Sequence, residues 1–141
     1  MIIIYIFFIR CYLIAISIAA LTGNKKAQLW LSGRKNIFSI LKKALRPNEK
    51  RVWFHFASLG EFEQGRPVLE RFKQEQPGFK IFVTFFSPSG YEIRKHYAHA
   101  DYLFYLPIDT AANAQQFIDL VQPELVFFTK YEYWHHYLKL L

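Results

Sequence analysis

Glu61 is the residue of this chain best placed to do chemistry. It follows the aromatic and β-branched run Val52–Phe56 and the small or permissive stretch Ala57, Ser58, Leu59, Gly60. That pattern predicts a buried strand, a tight turn and then a helix. A carboxylate there stands outside the carboxyl end of a strand, where open α/β sheets bind ligands. It also stands near a helix N-terminus, where the backbone dipole stabilises negative charge. The same position suits a plain first-turn acid, so the spacing alone leaves both readings open.

Two further clusters carry polar groups at strand ends. Ser87, Ser89 and Gly90 follow the run Ile81–Phe86. Their N–H groups and hydroxyls suit a sugar or phosphate at the N-terminus of the next helix. Alternatively, Ser87 or Ser89 simply caps that helix, with Glu92 as its capping-box partner. Near the C-terminus stand Lys130, Glu132, Trp134, His135 and His136. Adjacent histidines on a helix point apart and no third ligand is evident, so no metal site is expected. His55 lies inside the first strand and reads as a core or near-site histidine.

The elements that must position these groups alternate in type. Strands are expected over Val52–Phe56, Ile81–Phe86, Tyr102–Leu106 and Leu125–Thr129. Helices are expected over Glu61–Gln76, from the Ser87–Gly90 turn to about Tyr97, and over Thr110–Val121. The buried faces are Phe62, Pro67, Val68, Leu69 and Phe72 in the first long helix. In the last they are Ala111, Ala114, Phe117, Ile118 and Val121. A β-α-β-α-β-α-β order implies a parallel sheet with right-handed crossovers. Neither a G-x-G-x-x-G fingerprint nor a P-loop is present.

At 141 residues the chain is one domain by size. Its hydrophobic fraction of 52% excludes a disordered chain. The net charge of +7 is unevenly spread: residues 1–50 hold nine Lys/Arg against one acid, and residues 51–141 hold nine against ten. The basic excess therefore lies beside a hydrophobic segment, which favours a membrane surface over nucleic acid. With Cys11 as the single cysteine, no internal disulfide and no cysteine-based zinc site can be built.

Residues 2–21, IIIYIFFIRCYLIAISIAAL, have membrane-spanning length. Arg10 interrupts the run at a cost of about 2.5–3.5 kcal/mol on insertion scales, which the remaining apolar residues outweigh. No basic residue precedes the run, so an uncleaved anchor is expected rather than a signal peptide. Lys25, Lys26, Arg34, Lys35, Lys42, Lys43 and Arg46 follow it, which places the soluble part on the cytoplasmic side. Residues 36–46 put Ile37, Ile40, Leu41, Ala44 and Leu45 at helical spacing, for a helix resting either on anionic lipid or on the globular part. The organisation read from the chain is thus an anchor over 1–22, a basic amphipathic segment over 23–50 and a globular part over 51–141.

VWFHFASLGEFEQGRPVL resembles the N-terminal signature of the 3-deoxy-D-manno-octulosonic acid (Kdo) transferases of lipopolysaccharide synthesis. VTFFSPSGYE at 83–92, YLPIDT at 105–110 and QPELVFFTKYEYW at 122–134 match that family in order. The resemblance implies the N-terminal, Rossmann-like half of a GT-B glycosyltransferase, with the C-terminal donor-binding half absent. It implies transfer of Kdo from CMP-Kdo to a lipid A precursor at the cytoplasmic face of the bacterial inner membrane, with no metal or cofactor. Glu61 maps onto the catalytic base. Ser58 and Gly60 would shape the turn and admit the acceptor, with Ser87, Ser89, Gly90, Lys130 and Glu132 as further substrate contacts. Lys130 departs from the family pattern, which carries an acid there to stabilise the transition state. The rival expectation is a non-catalytic, membrane-tethered α/β module that binds acidic lipid or a partner protein.

Overall fold

Runs of β-branched and aromatic residues form the strands, as their preference for a pleated, buried surface requires. The structure, a computed structural model, describes residues 2–130 and 132–141. Its strands are β1 (Arg51–Phe56), β2 (Lys80–Phe85), β3 (Tyr102–Tyr105) and β4 (Pro123–Phe128). They pair in parallel in the order β3-β2-β1-β4. Helices α4 (Leu59–Glu75), α5 (Pro88–Arg94) and α6 (Ala111–Val121) alternate with them. This is the expected Rossmann-like α/β arrangement, with strand bounds shifted by no more than two residues.

Side-chain alternation divides the core into two layers. Val52, Phe54, Phe56, Ile81, Val83 and Phe85 meet Phe62 and Leu69 of α4. Trp53 and Phe82 point the other way, against Ala114, Phe117 and Val121 of α6. Covering both faces explains the almost unbroken apolar strands. Past the leading Arg51 and Lys80, the exceptions in β1 and β2 are His55 and Thr84, both fully buried and paired in register.

The buried face of α4 is narrower than expected. Phe62, Gly65, Leu69 and Phe72 follow the helical repeat toward the sheet, whereas Pro67 and Val68 stand off that stripe and are exposed. Gly65 lets the helix approach closely: a Cβ there would lie 2.4 Å from the Phe56 ring and 2.9 Å from Thr129 Oγ1. In α6, Ala111 is exposed rather than buried because Thr110 is the cap, its hydroxyl accepting from Asn113 N at 3.2 Å.

Three helices precede the sheet: α1 (Ile2–Leu21), α2 (Lys25–Ser32) and α3 (Ile37–Ala44). The sequence reading did not anticipate α2, which Asn24 caps. Of the two readings of residues 36–46, packing on the globular part is the observed one. Ile37 and Leu41 join the α6 core, while Ile40 and Ala44 are exposed. Arg34 is not one of the charges free to meet a membrane. Its guanidinium donates to Leu106 O and Phe86 O, both at 2.8 Å, and to Trp30 O at 3.0 Å. It also covers the Trp30 ring at 3.8 Å, and burial lowers its pKa to about 9. It thereby ties α2 to the residues that follow β2 and β3. A last short helix, α7 (His135–Leu140), seats the buried Tyr137 against Phe117.

Candidate functional site

The strand order reverses direction between β1 and β4, since β2 and β3 extend one side of β1 and β4 the other. Loops leaving the carboxyl ends of such a pair diverge and open a crevice. The segment after β1 carries Ala57 and Ser58 and then Gly60 and Glu61 in the first turn of α4, and the loop after β4 carries Lys130, Glu132 and Trp134.

Helix α4 starts at Leu59, two residues earlier than expected, because Ser58 is its cap. Glu61 therefore occupies the third helical position instead of opening the helix. Its Oε2 accepts from Ser58 N at 2.9 Å and lies 3.3 Å from Ser58 Oγ. This carboxylate half of a capping box fixes the Glu61 rotamer. Among the described residues Oε1 accepts no hydrogen bond, and the side chain is only half-buried. Gly60 is exposed, and a Cβ on it would meet only Ser58 Oγ, at 4.0 Å.

Glu132 is held differently. Its side chain is 8% exposed, and its Oε2 accepts from Trp134 Nε1 and lies 3.4 Å from His55 Nε2. At that length the histidine contact is electrostatic more than a well-formed hydrogen bond. His55 Nδ1 lies 2.8 Å from Thr84 Oγ1, which also accepts from Trp53 Nε1 at 2.7 Å. One proton assignment satisfies the set: Thr84 donates its hydroxyl to Nδ1, leaving the ring N–H on Nε2 toward Glu132. Burial pushes the imidazole below the usual histidine range, and Glu132 followed by the weaker influences of Thr84 and Glu61 offsets this only in part. His55 is thus a neutral, buried positioning group.

A cleft of about 350 Å³ lies at this rim, lined by Ala57, Phe86, Glu132, Tyr133, Trp134 and, from α1, Tyr5 and Ile9. Sequence reasoning assigned no role to Phe86, Asp109 or Thr84. The Phe86 ring packs on Trp134 at 4.7 Å, Trp30 at 5.6 Å and Tyr12 at 5.8 Å. Asp109 accepts from the backbone of His136 at 3.1 Å and Tyr137 at 3.3 Å, and from the Tyr5 hydroxyl. It ties α7 and α1 to the loop after β3. The detectable signal was positional: His55 and Thr84 are each the fifth residue of a six-residue strand whose other residues after the leading Arg51 or Lys80 are apolar.

Of the predicted site residues, Glu132 lines this cleft, while Ser58, Gly60 and Glu61 stand on the neighbouring turn into α4 and the others lie elsewhere. Ser87 caps α5, accepting from Ser89 N at 3.3 Å with the two hydroxyls 2.9 Å apart. Glu92 is not a capping-box partner; it accepts from Lys95 at 2.9 Å and Tyr105 at 3.2 Å. Gly90 has a packing reason, since a Cβ would lie 2.2 Å from the Phe85 ring. Lys130 is exposed with φ of 65° and, among the described residues, forms no ion pair with Glu61 or Glu132. His135 and His136 face Tyr5, with centroids 5.8 and 6.2 Å away. Among the described residues no group of three or more His, Cys, Asp or Glu is suited to a metal ion.

Chemically, the rim offers one anchored carboxylate with a free oxygen, a second buried carboxylate with fixed orientation, and aromatic walls. Such a set can orient a polyol and take one proton from it.

A family model described as 3-deoxy-D-manno-octulosonic-acid transferase (kdotransferase) matches residues 32–141. Curated 3-deoxy-D-manno-octulosonic acid transferases match as well. The protein of Chlamydia muridarum is 30% identical over 111 residues, covering 77% of this chain and 26% of the relative. That of Aquifex aeolicus is 32% identical over 94 residues, covering 66% and 26%. That of Haemophilus influenzae is 30% identical over 89 residues, covering 62% and 21%. The chain thus spans about a quarter of the length of the curated relatives it matches.

Proposed function

This chain belongs to the 3-deoxy-D-manno-octulosonic acid transferase family, and from that premise we propose that it forms the acceptor side of a GT-B glycosyltransferase. The donor is CMP-Kdo and the acceptor is a lipid A precursor. Residues 51–141 hold the acceptor, and the nucleotide sugar is held by the second domain that a GT-B architecture requires. Residues 1–22 and the basic stretch 23–50 keep the site at anionic lipid on the cytoplasmic face of the bacterial inner membrane. The apolar helix α1, with mean hydropathy 2.4, supports membrane association.

In this reading Glu61 takes the proton of the acceptor hydroxyl as its oxygen bonds to the anomeric carbon of Kdo. The bond from that carbon to the CMP oxygen breaks, and CMP leaves with its electron pair. Ser58 holds Glu61 in place, and Gly60 leaves room for the acceptor. Glu132, oriented by His55 and Trp134, lines the opposite side of the crevice and contacts the sugar. Ser87, Ser89, Gly90 and Lys130 are outer contacts, with Lys130 facing acceptor phosphate. The observation that supports the reading is the placement of Glu61 and Glu132 just after β1 and β4, the two strands that flank the switch point.

The test is Glu61→Gln in the full-length protein, assayed for Kdo transfer from CMP-Kdo and for acceptor binding. Transfer is expected to fall about 10²–10⁴-fold with binding retained. Unchanged transfer overturns the base role. The exposed Lys130, standing where the family carries an acid, favours a second reading: a non-catalytic module that binds acidic lipid. Complete lack of transfer by the unsubstituted full-length protein, with lipid binding intact, selects it.

A further inference from the structure

We infer that α1 lies flat in one leaflet of the membrane, one face seated on the globular domain and the opposite face in lipid, and does not cross the bilayer. This deepens the membrane association proposed above and rests on it.

By length and composition α1 passes for a spanning helix, at 20 residues and about 30 Å. Its contacts do not fit that orientation. Near its start Tyr5 reaches Asp109, His135 and His136, and Ile9 lines the cleft beside Glu132. In its middle Tyr12 packs on Trp30 and Phe86, 5.7 and 5.8 Å away. Near its end Ala20 O accepts from Gln28 at 3.0 Å. Both ends of the helix therefore touch the soluble part. A helix crossing the bilayer would carry one end about 30 Å from it.

The pattern of exposure agrees. Tyr5, Ile9, Leu13, Ile16 and Ala20 recur at helical spacing and are all partly covered. On the opposite side Ile3, Phe7, Ile14 and Ile18 are 79, 61, 60 and 57% exposed. Interfacial helices ordinarily owe their two faces to their own sequence. Here the helix, Arg10 apart, carries apolar residues on every side, and the domain supplies the polar side by covering one stripe.

Charge fixes the occupant of the free face. Arg10, at mid-helix, would sit at mid-bilayer in a spanning helix. In a flat helix it lies at the depth of the headgroups, level with exposed Lys25 and Lys26 at the start of α2. Hydrocarbon below and anionic headgroups beside those three cations match one leaflet of an anionic membrane. Tyr5 and Ile9 then set the mouth of the Glu132 cleft at the lipid surface.

The experiment is a depth measurement on the intact chain. Cys11 is its single cysteine. Cys11→Ser variants carrying Ile3→Cys, Phe7→Cys, Ile14→Cys or Ile18→Cys are labelled with a fluorophore in phosphatidylethanolamine–phosphatidylglycerol vesicles. Quenching by lipids brominated at different depths locates each label. All four are expected at one shallow depth in the hydrocarbon. A steady change in depth, about 22 Å between positions 3 and 18, overturns the flat orientation and leaves membrane association standing. Labels that stay in water, or failure to bind vesicles, overturn both.

Discussion

The segments that follow β1 and β4 each carry a glutamate, but they hold it by different means. Glu61 is fixed by Ser58, three residues away, and keeps an oxygen free. Glu132 is fixed by Trp134 within its loop and by His55 on another strand, and is nearly sealed from water. Local anchoring leaves a carboxylate able to exchange protons with a ligand. Anchoring to a buried ring makes the other carboxylate part of the core. The same side-chain chemistry thus yields a group that can act and a group that positions.

Substitution breaks this comparison most directly. Glu61→Gln is expected to lose transfer by the factors given above while keeping the stability of the parent. Glu132→Ala is expected to do the reverse first. It leaves the buried His55 N–H without its carboxylate, at about 1–3 kcal/mol, read as a lower urea midpoint. If Glu132→Ala instead keeps its midpoint and loses all transfer, the roles assigned to the two loops are exchanged.

Gly65→Ala sharpens the comparison by acting where the loops meet. Its Cβ would press on Phe56, at the end of β1, and on Thr129, which opens the β4 loop. Overpacking of this kind costs about 1–3 kcal/mol. Thermal unfolding should show it, and a partial loss of transfer should accompany it as α4 carries Glu61 away from Glu132. An unchanged Tm would mean that the two loops are not held in register by this contact.

A smaller effect separates the loops by pH. Burial lowers the His55 pKa, so the unfolded chain binds a proton that the native chain resists. Stability is therefore fully present above the unfolded value of about 6.5 and falls as the pH drops below it. The slope approaches about 1.4 kcal/mol per pH unit once the unfolded ring is protonated. Urea midpoints between pH 7 and pH 5 measure it, and His55→Asn should remove this contribution. A slope of the opposite sign would mean that the ring is charged in the native state and that Glu132 dominates it.

How much of this was legible follows the same division between local and long-range contacts. Runs such as Val52–Phe56 and Ile81–Phe86 announced a parallel sheet because burial on both faces leaves few alternatives. The turn at Ser58 was legible too, but the capping box was expected at the wrong helix: Glu61 closes one with Ser58, whereas Glu92, read as the partner of Ser87 or Ser89, serves Lys95 and Tyr105. Thr84 and Asp109 went unread because their partners lie 29 and 28 residues away, at His55 and Tyr137. No periodicity encodes such pairs. Arg34 was counted with the basic residues that follow the apolar run, and its structural role went unread for the same reason, since its partners Phe86 O and Leu106 O belong to loops that only the sheet brings near.

Gly60→Ala has the smallest effect on the fold and asks on which side of the crevice a ligand rests. Gly60 is the second residue of α4, and nothing closer than Ser58 Oγ at 4.0 Å opposes a Cβ. Alanine favours helix over glycine by about 0.5–1 kcal/mol, so stability should hold or rise by no more than that. The packing of the protein gives no reason for glycine there, unlike Gly65 and Gly90. If the acceptor passes over the first turn to reach Glu61, the added methyl group should raise the acceptor KM while kcat changes less. If KM and kcat both stay put, the acceptor approaches from the Glu132 side. Ser58 and Glu61 would then be a helix cap and nothing more.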